Sequence, residues 1–279
     1  MIKKLARFTL TLAFLMSLPY QAITATEVNY IWSVVPQFTG TAVHRDWTPV
    51  IKYVEDKTGY RFKLKIYDSI PEFEKGFLKG EPDIAYMNPY HAVMAMEAQG
   101  YDPVIRNSNR SLYGIMVVRA DSDINNVKQL NGKTIAFPSP NAFAASLYIR
   151  ALLTEKEHIQ FTSVYAGTHS NAYRYVLLGK TTAAGAVNRT LSKENKAVKQ
   201  NLKIIYKTPA FPSHPLTVHK RVPNKVKQAI QSALIELHQS EEGKKILAAI
   251  LLSNPVKADY DFDYRPLKSL NLKKYMAPR

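Results

Sequence analysis

The sequence predicts an α/β protein of two lobes, each a mixed, mainly parallel sheet covered by helices, with a two-stranded hinge between them. Three observations carry this. Strand-like and helix-like segments alternate from Val28 to Gly100. The alternation restarts at Leu112 and runs to Thr208. The stretches near 108–116 and 209–217 read as extended crossings, and the second contains "PAFPSHP", three prolines in seven residues. Strands that alternate with helices pair in parallel, because a parallel neighbour needs a crossover long enough to hold a helix. Two such units joined by extended crossings enclose a cleft, with ligands expected at the carboxyl ends of the strands.

The first run opens with the strand "VNYIWSVV". "DWTPVIKYVEDKTG" reads as a helix, with Asp46 as candidate N-cap, Pro49 in the first turn and Gly59 as the stop. "RFKLKIYD" alternates with period two, the mark of a strand with one wet face. "SIPEFEKGFLKG" is a short helix capped by Ser69, "DIAYMN" a buried strand and "PYHAVMAMEAQG" a helix. In the second run "LYGIMVVRA" is a strand, "INNVKQLNG" a short helix and "KTIAFPS" a strand. "NAFAASLYIRALLTEK" follows as a helix, and "TSVYAG" with "HSNAYRYVLLGK" repeats the pairing. "AAGAV", "RTLSKENKAVKQ" and "LKIIYKT" give strand, helix, strand. The chain closes with a long helical region, 223–252, that returns to the first lobe.

Lys3, Lys4 and Arg7, then the apolar "FTLTLAFLMSL" and the small residues of "QAITA", read as an export signal cut after Ala25, with a retained anchor as the alternative. The expected organisation is therefore a signal at 1–25, a first lobe of 26–112 plus 213–279, and a second lobe of 113–212. The absence of cysteine excludes disulfides, thiolate nucleophiles and Cys-ligated zinc, and suits a bacterial periplasm. The formal charge of +16 becomes +13 without Lys3, Lys4 and Arg7. Such basicity is compatible with nucleic acid, anionic lipid or a small anion, but its lysines and arginines are dispersed over helix faces, which favours a solvated basic surface.

Taken together, "WTPVIKYVEDKTGYRFKLKIYDSIPEFEKGFLKGEPDIAYMNPY", "LNGKTIAFPSPNAFAASLYIRALL", "GTHSNAYRYVLLGKTTAAGAV" and "YKTPAFPSHPLTVHKRVP" resemble the periplasmic phosphate/phosphite/phosphonate-binding proteins of ABC importers. The resemblance covers nearly all of the chain after residue 25. It implies a type II periplasmic binding protein fold, a venus flytrap that closes on its ligand. It implies a monomeric periplasmic protein that captures a small anionic solute for an inner-membrane permease. The alternatives are a protein of the same fold that docks a sensor kinase, or a binder of an aromatic or carboxylate ligand.

The chemistry departs from the family pattern at several positions. A Ser-Thr-Ser-type run at the helix start corresponds to Ala142, Phe143 and Ala144. The family's pocket aspartate falls on His214, a first-lobe pocket tyrosine falls near Ile70, and a later polar position falls on Asn188. The family histidine matches His169. Backbone amides survive these changes, and a helix start beginning at Asn141 still favours an anion by about 0.3–1 kcal/mol. Losing two hydroxyl donors to a charged guest costs roughly 3–6 kcal/mol. A histidine at 214 can donate and can carry charge, so the expected guest is more anionic or less amine-like than an aminoalkylphosphonate. Tyr86, Asn88 and Tyr90 of "YMNPYH" stand at a strand end and helix start. Asn88 before Pro89 reads as an N-cap, and Tyr86, Tyr90 and Tyr113, joined by Tyr30 and Trp32, read as core aromatics or as phenol donors and aromatic walls.

Catalytic readings find no support. No nucleophile elbow, phosphate loop, paired-histidine zinc motif or calcium loop occurs, so neither a catalytic residue, a metal site nor a cofactor is expected. A hydrolase built on His169 lacks a nucleophile.

Overall fold

The computed structural model describes residues 29–108 and 112–276, so the expected export signal lies outside the described residues. In the first run, strands β1 (Asn29–Val34), β2 (Arg61–Lys65) and β3 (Ile84–Tyr86) alternate with helices α1 (Gly40–Thr58), α2 (Ile70–Leu78) and α3 (Pro89–Gln99). β4 (Asp102–Asn107) then leads to the first crossing. The second run holds β5 (Gly114–Arg119), β6 (Lys133–Phe137), β7 (Phe161–Tyr165), β8 (Ala183–Val187) and β9 (Leu202–Lys207). Its helices are α4 (Tyr148–Glu155), α5 (His169–Leu177), α6 (Asn188–Lys193) and α7 (Lys196–Gln200). β10 (Pro215–Val218), α8 (Asn224–Leu237), α9 (Glu241–Ala249) and β11 (Pro255–Lys257) return to the first sheet.

The first sheet has the order β11-β4-β10-β3-β1-β2 and the second β7-β6-β8-β5-β9. Both sheets are mixed. β1 pairs in parallel with β2 and β3, and β6 pairs in parallel with β7 and β8. All pairs made by β4, β5, β9, β10 and β11 are antiparallel. The parallel share is thus smaller than the expected mainly parallel sheets. The reason is that the strands entering and leaving the crossings pair beside their own return partners, which alternation along the chain does not reveal. Both crossings run side by side, and Leu112 and Phe211 form an isolated antiparallel bridge there.

The side-chain pattern explains the layers. On β5, Ile115 and Val117 pack with Tyr173 and Val176 of α5, while Met116 and Val118 pack with Ile149 and Leu153 of α4. Period two sends alternate residues to opposite faces, and both faces are covered. β2 is an edge strand, with Phe62 buried between exposed Arg61 and Lys63.

Local signals held at several ends. Gly59 takes φ +72° as the α1 stop, Ser69 Oγ accepts from Glu72 N, and Asn88 Oδ1 accepts from His91 N with Pro89 at the first helical position. Four elements differ from the reading of the sequence. α1 starts at Gly40 with Thr39 as N-cap, so Asp46 and Pro49 lie inside it; the earlier turns are kept because Val43 and Trp47 are buried. Residues 189–200 split at Asn195, which caps α7. Residues 223–252 split at Ser240, which caps α9. The helix expected from Asn141 opens as a wide π turn, Phe143–Leu147, before α4.

That π turn lies directly on the second sheet. A Cβ on Gly114 would stand 2.0 Å from Ala144 O, and one on Gly185 2.3 Å from Ala145 O. Two glycines in adjacent strands therefore let the turn approach the sheet backbone.

Candidate functional site

A small cleft lies where the two sheets meet. Val35 and Gln37 reach it from the end of β1, Asn88 from the end of β3, and Ala142–Ala145 from the turn after β6. His169 follows β7, Val187 ends β8, and His214 precedes the antiparallel β10. Every wall thus comes from one end of the two sheets, the carboxyl ends of their parallel strands.

The π turn carries a run of backbone amides. Ser146 N and Leu147 N both bond to Ala142 O. Among the described residues no acceptor faces the N–H groups of Phe143, Ala144 and Ala145, and Ala142 offers no side-chain cap. A helix start leaves such amides unsatisfied, and here three in succession belong to residues that line the cavity. His169 is the first residue of α5, capped by Thr168, and its Nδ1 is buried without a partner. Burial alone pushes its imidazolium pKa down to about 3. His214 is buried against Tyr86, with ring centroids 5.6 Å apart and planes at 27°. Burial, then the nearby Arg189 charge, hold it well below the usual histidine range. Both imidazoles are neutral near pH 7. Burial thus disfavours the positive charge that a histidine at 214 can carry. Among the described residues no aspartate or glutamate lines the cavity. The site is rich in neutral donors and suits an oxyanion better than an ammonium group.

Six of the eleven expected positions line this cleft: Asn88, Ala142, Phe143, Ala144, His169 and His214. The other five lie outside its lining. Tyr86 lies between His214 and Trp47, its rings 5.6 and 4.9 Å from theirs, and burial lifts its phenol pKa to about 12. Tyr90 stacks on Phe143 at 5.8 Å and 13°, which makes the Phe143 ring a packing contact between the two halves. Asn141 Nδ2 donates to Glu74 Oε2 at 2.8 Å. Tyr113 and Asn188 bond to one another through Tyr113 N to Asn188 Oδ1 and Asn188 N to Tyr113 O, beside the first crossing. Tyr30 and Trp32 belong to the first-sheet core. The sequence reading missed Gln37 and Ala145 as walls and Glu74 behind the cleft. Glu74 had a signal: it falls on the buried stripe Ile70, Phe73, Glu74, Phe77 of α2, where an acid needs a partner.

No group of three or more metal-ligating side chains occurs among the described residues. No helix among them is long and apolar enough to cross a membrane.

Two mixed α/β sheets, side-by-side crossings and a cleft at the strand ends define a two-lobed binding-protein fold. Residues 32–264 match the family described as ABC transporter, phosphonate, periplasmic substrate-binding protein, and the chain belongs to that family. It is 24% identical over 247 residues to the phosphonates-binding periplasmic protein of Escherichia coli, spanning 82% of this chain and 72% of that one. It is 23% identical over 199 residues to a phosphate-import protein of Mycolicibacterium smegmatis, spanning 63% of this chain and 61% of that one. Among solved structures it resembles PhnD1 of Prochlorococcus marinus in complex with methylphosphonate, with a TM-score of 0.80, 14% identity, and 89% and 99% of the two chains covered. It also resembles a binding protein component of an ABC phosphonate transporter from Pseudomonas aeruginosa, with a TM-score of 0.79, 16% identity, and 88% and 86% covered.

Proposed function

We propose that this chain captures a small phosphorus oxyanion, such as phosphate, phosphite or an alkylphosphonate, and delivers it to the inner-membrane permease of an ABC importer. The observation that carries this reading is the row of three amides at Phe143–Ala145 that find no acceptor, in residues that line a cavity with two imidazoles and, among the described residues, no carboxylate. Residues 1–25 export the chain. Residues 26–112 plus 213–279 and residues 113–212 form the two lobes, and closure traps the guest between them in a monomer. Asn88, His169 and His214 donate to the oxyanion beside the amides of the π turn. Tyr86 holds the His214 ring, Tyr90 docks against Phe143, and Asn141, Tyr113 and Asn188 position the walls.

The named ligands of the relatives support the class. The missing carboxylate narrows it: an aminoalkyl group finds no anionic partner in the cavity, so unsubstituted and alkyl phosphorus oxyanions are favoured. Calorimetric titration with phosphate, phosphite, methylphosphonate and 2-aminoethylphosphonate tests this. Binding of one of the first three, at least tenfold tighter than the aminoalkyl compound, is expected. Binding confined to amines or to carboxylates would overturn the reading.

A further inference from the structure

Glu74 is an acid on an apolar stripe. Its residue is 6% exposed, and the neighbouring positions Phe73 and Phe77 of the same helix are fully buried. Burying a carboxylate is costly unless both oxygens are satisfied. Among the described residues each oxygen has one partner. Oε1 meets His91 Nε2 of α3 at 2.8 Å, within the first lobe. Oε2 accepts from Asn141 Nδ2 at 2.8 Å, in the segment that leads into the π turn of the second lobe. The acid therefore joins the two lobes directly behind the cleft. It lies close to the guest's walls on both sides: Ile70, one turn before it, and Asn88, which caps the helix bearing His91, both line the cavity. Asn141 stands one residue before the cavity wall formed by Ala142–Ala145.

We propose that Glu74 is a positioning residue, an interlobe latch that holds Asn141, and through it the amide-bearing π turn, against the first lobe. The inference rests on the closure described under Proposed function. When the lobes separate, Oε2 loses its donor and turns to water. When they close, the carboxylate is dry and only Asn141 satisfies that oxygen. Such a contact belongs to the closed state alone. It opposes release of a trapped guest and leaves its entry into the open cleft unchanged.

The chain has no cysteine, so K52C and K180C on exposed positions of opposite lobes take spin labels at two unique sites. Distances between the labels are measured by pulsed electron resonance in the full chain, with and without methylphosphonate. E74A and N141A are each expected to shift the distribution towards the open form, and the double variant is expected to shift it no further. In stopped-flow measurements with methylphosphonate, both single variants release it about tenfold to a hundredfold faster, with association within twofold of the parent. E74Q, which keeps an acceptor oxygen for Asn141, recovers most of the retention. A purely structural role in the first lobe predicts a lower melting temperature for E74A and parental behaviour for N141A, and that result overturns the latch. Unchanged distances and release rates in both variants overturn it as well. If methylphosphonate fails to bind the parent chain, the ligand assignment falls, and the label distances decide the latch by themselves.

Discussion

The rings of Tyr86 and His214 lie 5.6 Å apart and nearly parallel, and Trp47 packs on Tyr86 at 4.9 Å. Tyr86 ends β3 and His214 precedes β10, whose Leu216 pairs with Tyr86 across the antiparallel ladder. The histidine is thus held in the cavity wall by an aromatic stack rooted in the sheet. Replacing Tyr86 with Phe keeps the stack, so oxyanion affinity is expected within about twofold of the parent. Replacing it with Ala leaves a cavity beside Trp47 and costs about 3–5 kcal/mol of stability, read by urea unfolding.

Acid is expected to destabilise the protein through its buried imidazoles. His169 has a folded pKa of about 3, below the usual unfolded value near 6.5. The unfolded chain therefore binds the proton first, and stability present above pH 6.5 is lost as pH falls below it. At pH 5.5 this amounts to roughly 1.4 kcal/mol for His169 alone. His214, displaced in the same direction, adds to the loss. Urea midpoints at pH 7.5 and 5.5 measure it, and H169Q is expected to flatten the dependence. Equal sensitivity in H169Q would show that this histidine is not the titrating group.

Gly114 and Gly185 are expected to be intolerant for a steric reason. G114A would drive a methyl group into Ala144 O, which must move with the π turn. A loss of about 1–3 kcal/mol or more in stability is expected, together with loss of oxyanion binding. G59A is the contrast. Its Cβ meets nothing within 4 Å, and its cost is the left-handed backbone alone, about 1–2 kcal/mol, with binding intact. Binding by G114A at parental affinity would remove the π-turn amides from the site.

Ala144 lines the cavity with a methyl group where a hydroxyl would face an oxyanion. A144S is expected to tighten phosphate or methylphosphonate binding about tenfold, the effect of one added hydrogen bond to a charged guest. Titration calorimetry reads this directly. Weaker or unchanged binding would place the guest away from the helix start.

Local chemistry made much of the molecule legible from sequence. Period-two strands, the Ser69 and Asn88 caps and the Gly59 stop depend on neighbours within one turn, and each stands as read. The two-run rhythm also carried the class of fold, since alternation imposes crossovers. Tertiary structure decided the rest. The antiparallel half of each sheet, the π turn lying over Gly114 and Gly185, the neutral state of His169 and His214, and the bond from Glu74 to Asn141 all involve partners far apart in the chain. Sequence can mark Glu74 as an acid on an apolar stripe, yet only the meeting of two lobes supplies its donor, because burial and partner choice are set by packing across the cleft.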